Sequence, residues 1–356
     1  MKAFLPTPDS QPHASSSSKT SAQNNHEQAS FSGQSTERVL SAQEKEKTKQ
    51  YSVIDGSAYN VMYGFGEQYV VPYGVRLGAS PSEVALLSTV PYFFGSLFQL
   101  LGARLTWILA SRKRIILISV LIQAIMFLPI FLLPLLTKNI FLLIVLFSLY
   151  LIFANMATPA WSSLIGDVVG EHERSSFFSH RNKVMITFLF FSVIAAGLIL
   201  HYFENRNVWL GFGILFGVAL LARIVSLIYL ARHHEPTYHP PKKSSLSFFS
   251  FTKSITKTPF GTFTLFRFLL TIGIMFGAPF FVVFNLKFLE LNYFQYMLVI
   301  LVPLAAKVIS MKPWGKYAER YGTRNIMIVS LFLISSFPIF YFLGAYFFGK
   351  SMTTYY

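Results

Sequence analysis

Nine apolar runs of roughly 17–25 residues follow one another after residue 50, each long enough to cross a bilayer as a helix. They fall near 56–77, 83–105, 115–136, 139–160, 183–203, 208–231, 262–284, 292–311 and 326–348. The third and fourth are separated only by Thr137, Lys138 and Asn139, yet together they are too long for one helix. Residues 1–50 show the opposite pattern, rich in Ser, Gln, Asn and Thr with almost no large apolar side chain after Leu5. Such a stretch buries too little surface to fold, which predicts a disordered tail. It also lacks the apolar core of a secretory leader.

Composition sharpens this picture. The chain is 53% hydrophobic and 13% charged, where a soluble protein carries about a quarter charged residues. A polytopic, all-helical membrane protein is the reading that fits. The absence of cysteine excludes disulfides and thiolate metal sites.

The net charge of +15 would suit nucleic acid if the bases were clustered in a soluble domain. They alternate instead. One side of the membrane receives Lys45, Lys47 and Lys49, then Arg112, Lys113 and Arg114, then Arg174, Arg181 and Lys183. It also receives the bases of 232–259, and later Lys312, Lys316, Arg320 and Arg324. The other side gets about one base per loop. The charge is therefore topological, nucleic acid is not expected as a partner, and the N-terminus is placed in the cytoplasm of a plasma-membrane protein.

The longest inner connection contains His-Pro-Pro-Lys-Lys-Ser-Ser and reads as a linker. The expected organisation is a tail (1–50), a six-helix bundle (51–231), a cytoplasmic linker (232–259) and a three-helix partial bundle (260–356). His233, His234 and His239 fall in that linker and read as a solvated loop rather than a metal site.

Three charged stretches carry more specific information. The first is Trp314–Asn325, in which Gly315, Glu319, Arg320, Gly322 and Arg324 stand between two apolar runs. Gly315 would let a helix end approach a neighbour closely, and Gly322 would supply a turn. The second is Gly102-Ala-Arg-Leu-Thr106, followed by Arg112, Lys113 and Arg114. Gly102 and Gly315 are 213 residues apart, and the first and seventh spans begin about 206 apart. Two separate markers at one offset predict two parallel repeats of six helices. The third runs from Trp161 to Asn182, where Asp167, Glu171, Arg174 and Arg181 are placed to form an ion-pair network.

The first stretch resembles the loop between helices 8 and 9 of the major facilitator superfamily of secondary transporters, with Asn325 departing from the pattern at its second base. The 102–114 stretch resembles the same motif in the first half, with Thr106 where the family has an acid and Trp107 where it has a base. The 161–182 stretch resembles the fourth-to-fifth loop of certain prokaryotic members. The resemblance implies two six-helix bundles rocking about a central site. It implies a monomer without cofactor that moves a small solute, either coupled to H+ or Na+ or by exchange. The missing acid puts the cytoplasmic interlock in doubt. The repeat also implies that three of twelve spans lie beyond Tyr356, in a protein of about 460–480 residues. A nine-span protein is the alternative.

Ionisable groups within a span cost roughly 2.5–3.5 kcal/mol at its centre, so each asks for a reason. Glu67 is the clearest, in the middle of the first span. Asn60, Tyr63, Gly64 and Glu67 share one face at helical spacing, and Gln68 adjoins them. Glu67 reads as a cavity carboxylate that binds a cation or carries a proton, or as a structural group bonded to another helix. Gln99 and Gln123 are weaker candidates, since buried amides often join helices. Asn155, with Thr158 and Ser162, makes another polar face. Arg223 is expected to snorkel to the inner surface, or to pair with Glu67 or an anionic substrate. No P-loop, nucleophile elbow or zinc pattern points to an enzyme. The rival reading is a receptor, scaffold or decayed copy on a transporter fold.

Overall fold

The computed structural model describes residues 40–238 and 252–348; within the last three helices some side chains also fall outside that description. The described residues are helical, with no strand among them. Among the described residues six helices are long and apolar enough to cross a membrane, and helices also occupy the first, seventh and ninth expected spans.

The first span is not one helix. Its opening helix is Ala42–Phe65, a 3-10 turn follows over Glu67–Tyr69, and Val70–Arg76 completes the crossing. Pro72 explains the break, because it has no N–H to give the Gln68 carbonyl and its ring crowds that position. The third span breaks the same way at Met126, between Arg112–Ile125 and Phe127–Leu136, with Pro129 three residues on. The helical spacing expected for Asn60, Tyr63 and Glu67 therefore ends at Gly66, and Glu67 stands on the turn.

The tail boundary expected at residue 50 is too late. Ser41 and Glu44 form a reciprocal capping box that starts the helix at Ala42. Leu40 is buried with Ile115, Ile165 and Leu230. Residues 1–39 lie outside the described residues.

Two expected loops are mostly helix. The eighth span runs through Tyr293–Tyr321 and the ninth through Thr323–Phe348, so the charged stretch around Glu319 forms the last turns of a helix. Lys, Glu and Arg are good helix formers, and only Gly322, at φ +81°, turns the chain. The fourth span, Ile140–Val168, likewise reaches almost to the fifth, Glu171–Glu204. At the second-to-third corner Pro81–Leu109 ends on Ala110, at φ +47°, before Ser111 caps the next helix. Both corners are thus one-residue left-handed turns, glycine in one and alanine in the other.

The core lies inside the first six spans. Tyr73 donates to the Ile130 carbonyl at 2.8 Å and meets Phe212 and Phe216 edge-on at 5.1 Å. The second and fourth spans approach to backbone contact at Gly95 and Gly102; a Cβ on Gly102 would stand 2.4 Å from the Met156 carbonyl oxygen. The eighth span docks on the fifth through Met297, which lies against Gly197 and Val193. Tyr296 and Tyr293 add edge contacts to Tyr69 and Phe212.

The linker is not free at its start. Residues 232–238 fold back on the second-to-third corner. Glu235 accepts from the Arg112 N–H at 2.7 Å, the Lys113 N–H at 3.3 Å and the Ser111 hydroxyl at 3.1 Å. Its carboxylate thus satisfies orphan donors at a helix N-terminus. Lys113 Nζ donates to the His233 carbonyl at 2.9 Å. His233, expected in a solvated loop, is 1% exposed. His239 lies outside the described residues.

Candidate membrane-embedded site

Three polar groupings are built from these helices. The first is at the break in span one. Glu67 is 8% exposed. Tyr150 of the fourth span donates to its Oε2 at 3.1 Å, and Tyr92 of the second donates to its Oε1 at 3.2 Å. Both carboxylate oxygens therefore have a phenol donor, which is what a buried charge-bearing group needs. Gly66 keeps the turn close to Phe127 and Ala219, where a Cβ would come within 2.6 Å and 2.9 Å.

The other residues expected beside Glu67 have separate tasks. Asn60 donates to the Gly56 carbonyl of its own helix at 2.9 Å. Tyr63 stacks on Tyr59 at 6.4 Å. Gln68 is half-buried on the turn. Asn155 donates to the Leu151 carbonyl and packs over Gly95. Gln99 is half-buried one turn beyond Gly95.

The second grouping joins residues that the sequence kept apart. Arg223 does not snorkel; it is 5% exposed. Its Nε donates to Gln123 at 2.8 Å, its Nη1 donates to Ser226 at 2.9 Å, and the guanidinium rides over Tyr59 at 5.0 Å. Buried hydrogen-bond acceptors hold it more strongly than the surface attracts it. Ser226 in turn donates to Asp55 at 2.6 Å. Arg181 approaches Asp55 at 3.9 Å, donates from Nε to the Ser52 carbonyl and hydroxyl, and lies over Trp161 at 4.5 Å. Asp55 was hidden in the sequence because it adjoins the edge of an apolar run. Tyr92 and Tyr150 were hidden because a lone tyrosine in a span carries no signal.

The third grouping is at the basic corners. Arg112, 1% exposed, donates to Asp167 and to Ser163 of the fourth span, and lies 3.6 Å from Glu235. Thr106, where the resemblance expects an acid, turns its hydroxyl to the Gly102 carbonyl at 2.8 Å. The network expected among Asp167, Glu171, Arg174 and Arg181 is divided. Asp167 goes to Arg112, Arg181 goes to Asp55, and Arg174 donates to the Gly166 carbonyl at 3.1 Å. At the Gly322 corner Arg320 lies over Tyr321 at 5.3 Å and Arg324 is exposed. The side chains of Gly315 and Glu319 positions lie outside the description. His233, outside the spans, is pushed down to about 4 by burial, with nearby Lys113 and Arg181 adding to the effect.

The family model for the Major Facilitator Superfamily matches residues 55–355. No curated protein sequence matches the chain. Among solved structures, a bacterial homolog of the human lysosomal transporter Spinster, in an inward-facing and unoccupied conformation, aligns at TM-score 0.57 and 15% identity. That alignment covers 80% of this chain and 64% of the other, so the chain spans less than two thirds of that relative's length. The nucleoside transporter NupG aligns at TM-score 0.53 and 17% identity, over 81% of this chain and 70% of that one. At such identities the structures speak for the fold alone. The family model covers most of the chain: it belongs to the Major Facilitator Superfamily.

Proposed function

We propose that the chain is a secondary transporter that moves a small solute by alternating access, with Glu67 as its coupling residue. The supporting observation is a carboxylate buried at a proline-induced break in a membrane helix, held by phenols from two other spans. Burial of an acid in a span is costly enough to need a function. Both similar structures are transporters by description. A proton is the coupling ion that suits a buried carboxylate whose two oxygens each accept from a phenol.

The same reading takes 51–231 as one rocking bundle and 260–356 as part of the other, joined by 232–259. It puts the basic corners, Gly102–Lys113 with Asp167 and Gly315–Arg324, at the cytoplasmic gate of a plasma-membrane monomer. The alternation of basic loops supports that orientation.

Uptake into proteoliposomes under an imposed pH gradient tests the proposal, with a panel of labelled metabolites as solutes. Gradient-driven accumulation is expected for the native chain and should be lost in Glu67→Gln, with solute exchange retained. Accumulation untouched by Glu67→Gln would remove the site. Absence of flux under every gradient would favour a receptor or scaffold.

A further inference from the structure

Asp55, Arg181 and Arg223 line one recess of about 240 Å³ in the first bundle, together with Tyr59, Thr158 and Trp161. That space equals about eight waters, enough for a small organic molecule. Its floor is apolar, with Ile116 and Val120.

The recess has a surplus of donors. A guanidinium carries five N–H groups. Arg181 gives its Nε to Ser52, and Arg223 gives Nε and one Nη1 hydrogen to Gln123 and Ser226. Further N–H groups remain on both. Trp161, which also lines the recess, carries a buried Nε1–H with no hydrogen-bond partner, and a buried donor left unsatisfied asks for an acceptor. The one anionic acceptor lining the recess, Asp55, is already engaged by Ser226 and faces Arg181. A ligand made of acceptors completes this wall.

The charge count agrees. Asp55 and Glu67 balance Arg181 and Arg223 when both acids are ionised. An entering monoanion leaves one uncompensated negative charge among buried groups, where the dielectric is low. Uptake of one proton by either carboxylate restores neutrality. The groups facing Asp55 are Arg181, Arg223, Ser226 and Tyr59. Those facing Glu67 are Tyr59, Tyr63, Tyr92, Tyr150 and, at longer range, Arg223.

We infer that this recess holds the carboxylate or phosphate group of the transported solute between Arg181 and Arg223, and that the anion enters together with a proton. This rests on the transport reading above and names its substrate class as small organic or inorganic oxyanions.

Isothermal titration of the purified full-length chain at low ionic strength tests it, with phosphate, succinate and benzoate as probes and neutral succinamide as the control. At least one anion should give saturable heat and succinamide none. Buffers of different ionisation enthalpy should report uptake of about one proton per benzoate bound. Arg223→Gln should weaken binding about tenfold or more, the worth of a hydrogen bond to a charged group. Trp161→Phe, which removes the unsatisfied donor and leaves a smaller aromatic face under Arg181, should weaken it several-fold in a chain that still folds. No saturable heat with any of the three anions overturns the inference, as does equal anion affinity in both variants. Flux of neutral solutes by a chain that binds no anion would end this inference and leave transport standing. Anion binding without any flux would do the reverse.

Discussion

Replacing Gly102 by alanine adds one carbon at the tightest helix contact of the first bundle. That Cβ would stand 2.4 Å from the Met156 carbonyl oxygen, 2.9 Å from its Cα and 3.0 Å from its carbonyl carbon. Ordinary contacts to carbon begin near 3.4 Å, and all three atoms are backbone, which cannot rotate away. The second and fourth spans must part by about 1 Å, and overpacking of this kind costs roughly 1–3 kcal/mol. Alanine also gains about 1 kcal/mol of helix propensity over glycine. Gly217 supplies the control, since it is helical too and a Cβ there meets nothing within 4 Å. The propensity gain cancels between the two variants, so Gly102→Ala should be less stable than Gly217→Ala by about 1–3 kcal/mol. Unfolding in mixed detergent micelles measures both. Equal stability of the two would refute the backbone contact at Gly102.

Glu235→Ala should destabilise the second-to-third corner by about 1–2 kcal/mol, because three donors at a helix start lose their acceptor. Hydrogen exchange at residues 111–114 reads that loss, and unchanged protection would contradict the docking of the linker. Ala110→Gly should stabilise the chain by about 0.5 kcal/mol, the left-handed penalty at φ +47° less the entropy that glycine adds; thermal unfolding in detergent checks the sign. The folded pKa of His233, about 4, lies below its ordinary 6.5, so the segment 232–238 binds the proton more tightly when unfolded. The stability it contributes is complete above pH 6.5 and is lost as pH falls toward 4. Exchange at residues 232–238 should therefore quicken across that window, and should not do so in His233→Phe.

Much of the fold was legible because membrane spans are long, apolar and punctuated by charge. The nine apolar runs reported one physical constraint, the length of a helix that crosses a bilayer, and helices occupy those runs among the described residues. Helix ends were less legible. Hydropathy marks where apolar residues stop, whereas the helices around Glu319 and Glu171 continue on charged residues that favour helix as well. Glu67 was legible because a mid-span acid is expensive. Its phenol partners Tyr92 and Tyr150 were not, since pairing across spans depends on packing that no single-chain pattern records. Arg223 was misjudged for the same reason. Snorkelling assumes that no acceptor is nearer than the surface, and Gln123 and Ser226 are nearer. Asp55 looked like a boundary residue, and His233 looked like loop, because the fold of 232–238 onto Glu44, Thr48 and Arg112 brings together three distant segments.

The central claim is that a water-accessible recess in the first bundle opens to one side of the membrane at a time. The chain has no cysteine, so Thr158→Cys, exposed at the recess wall, creates a single thiol. A membrane-impermeant thiol reagent should label it from the face that carries Arg112 and Gly322, and oxyanion binding should slow that labelling. Labelling from neither face, or labelling that no oxyanion slows, would contradict the account.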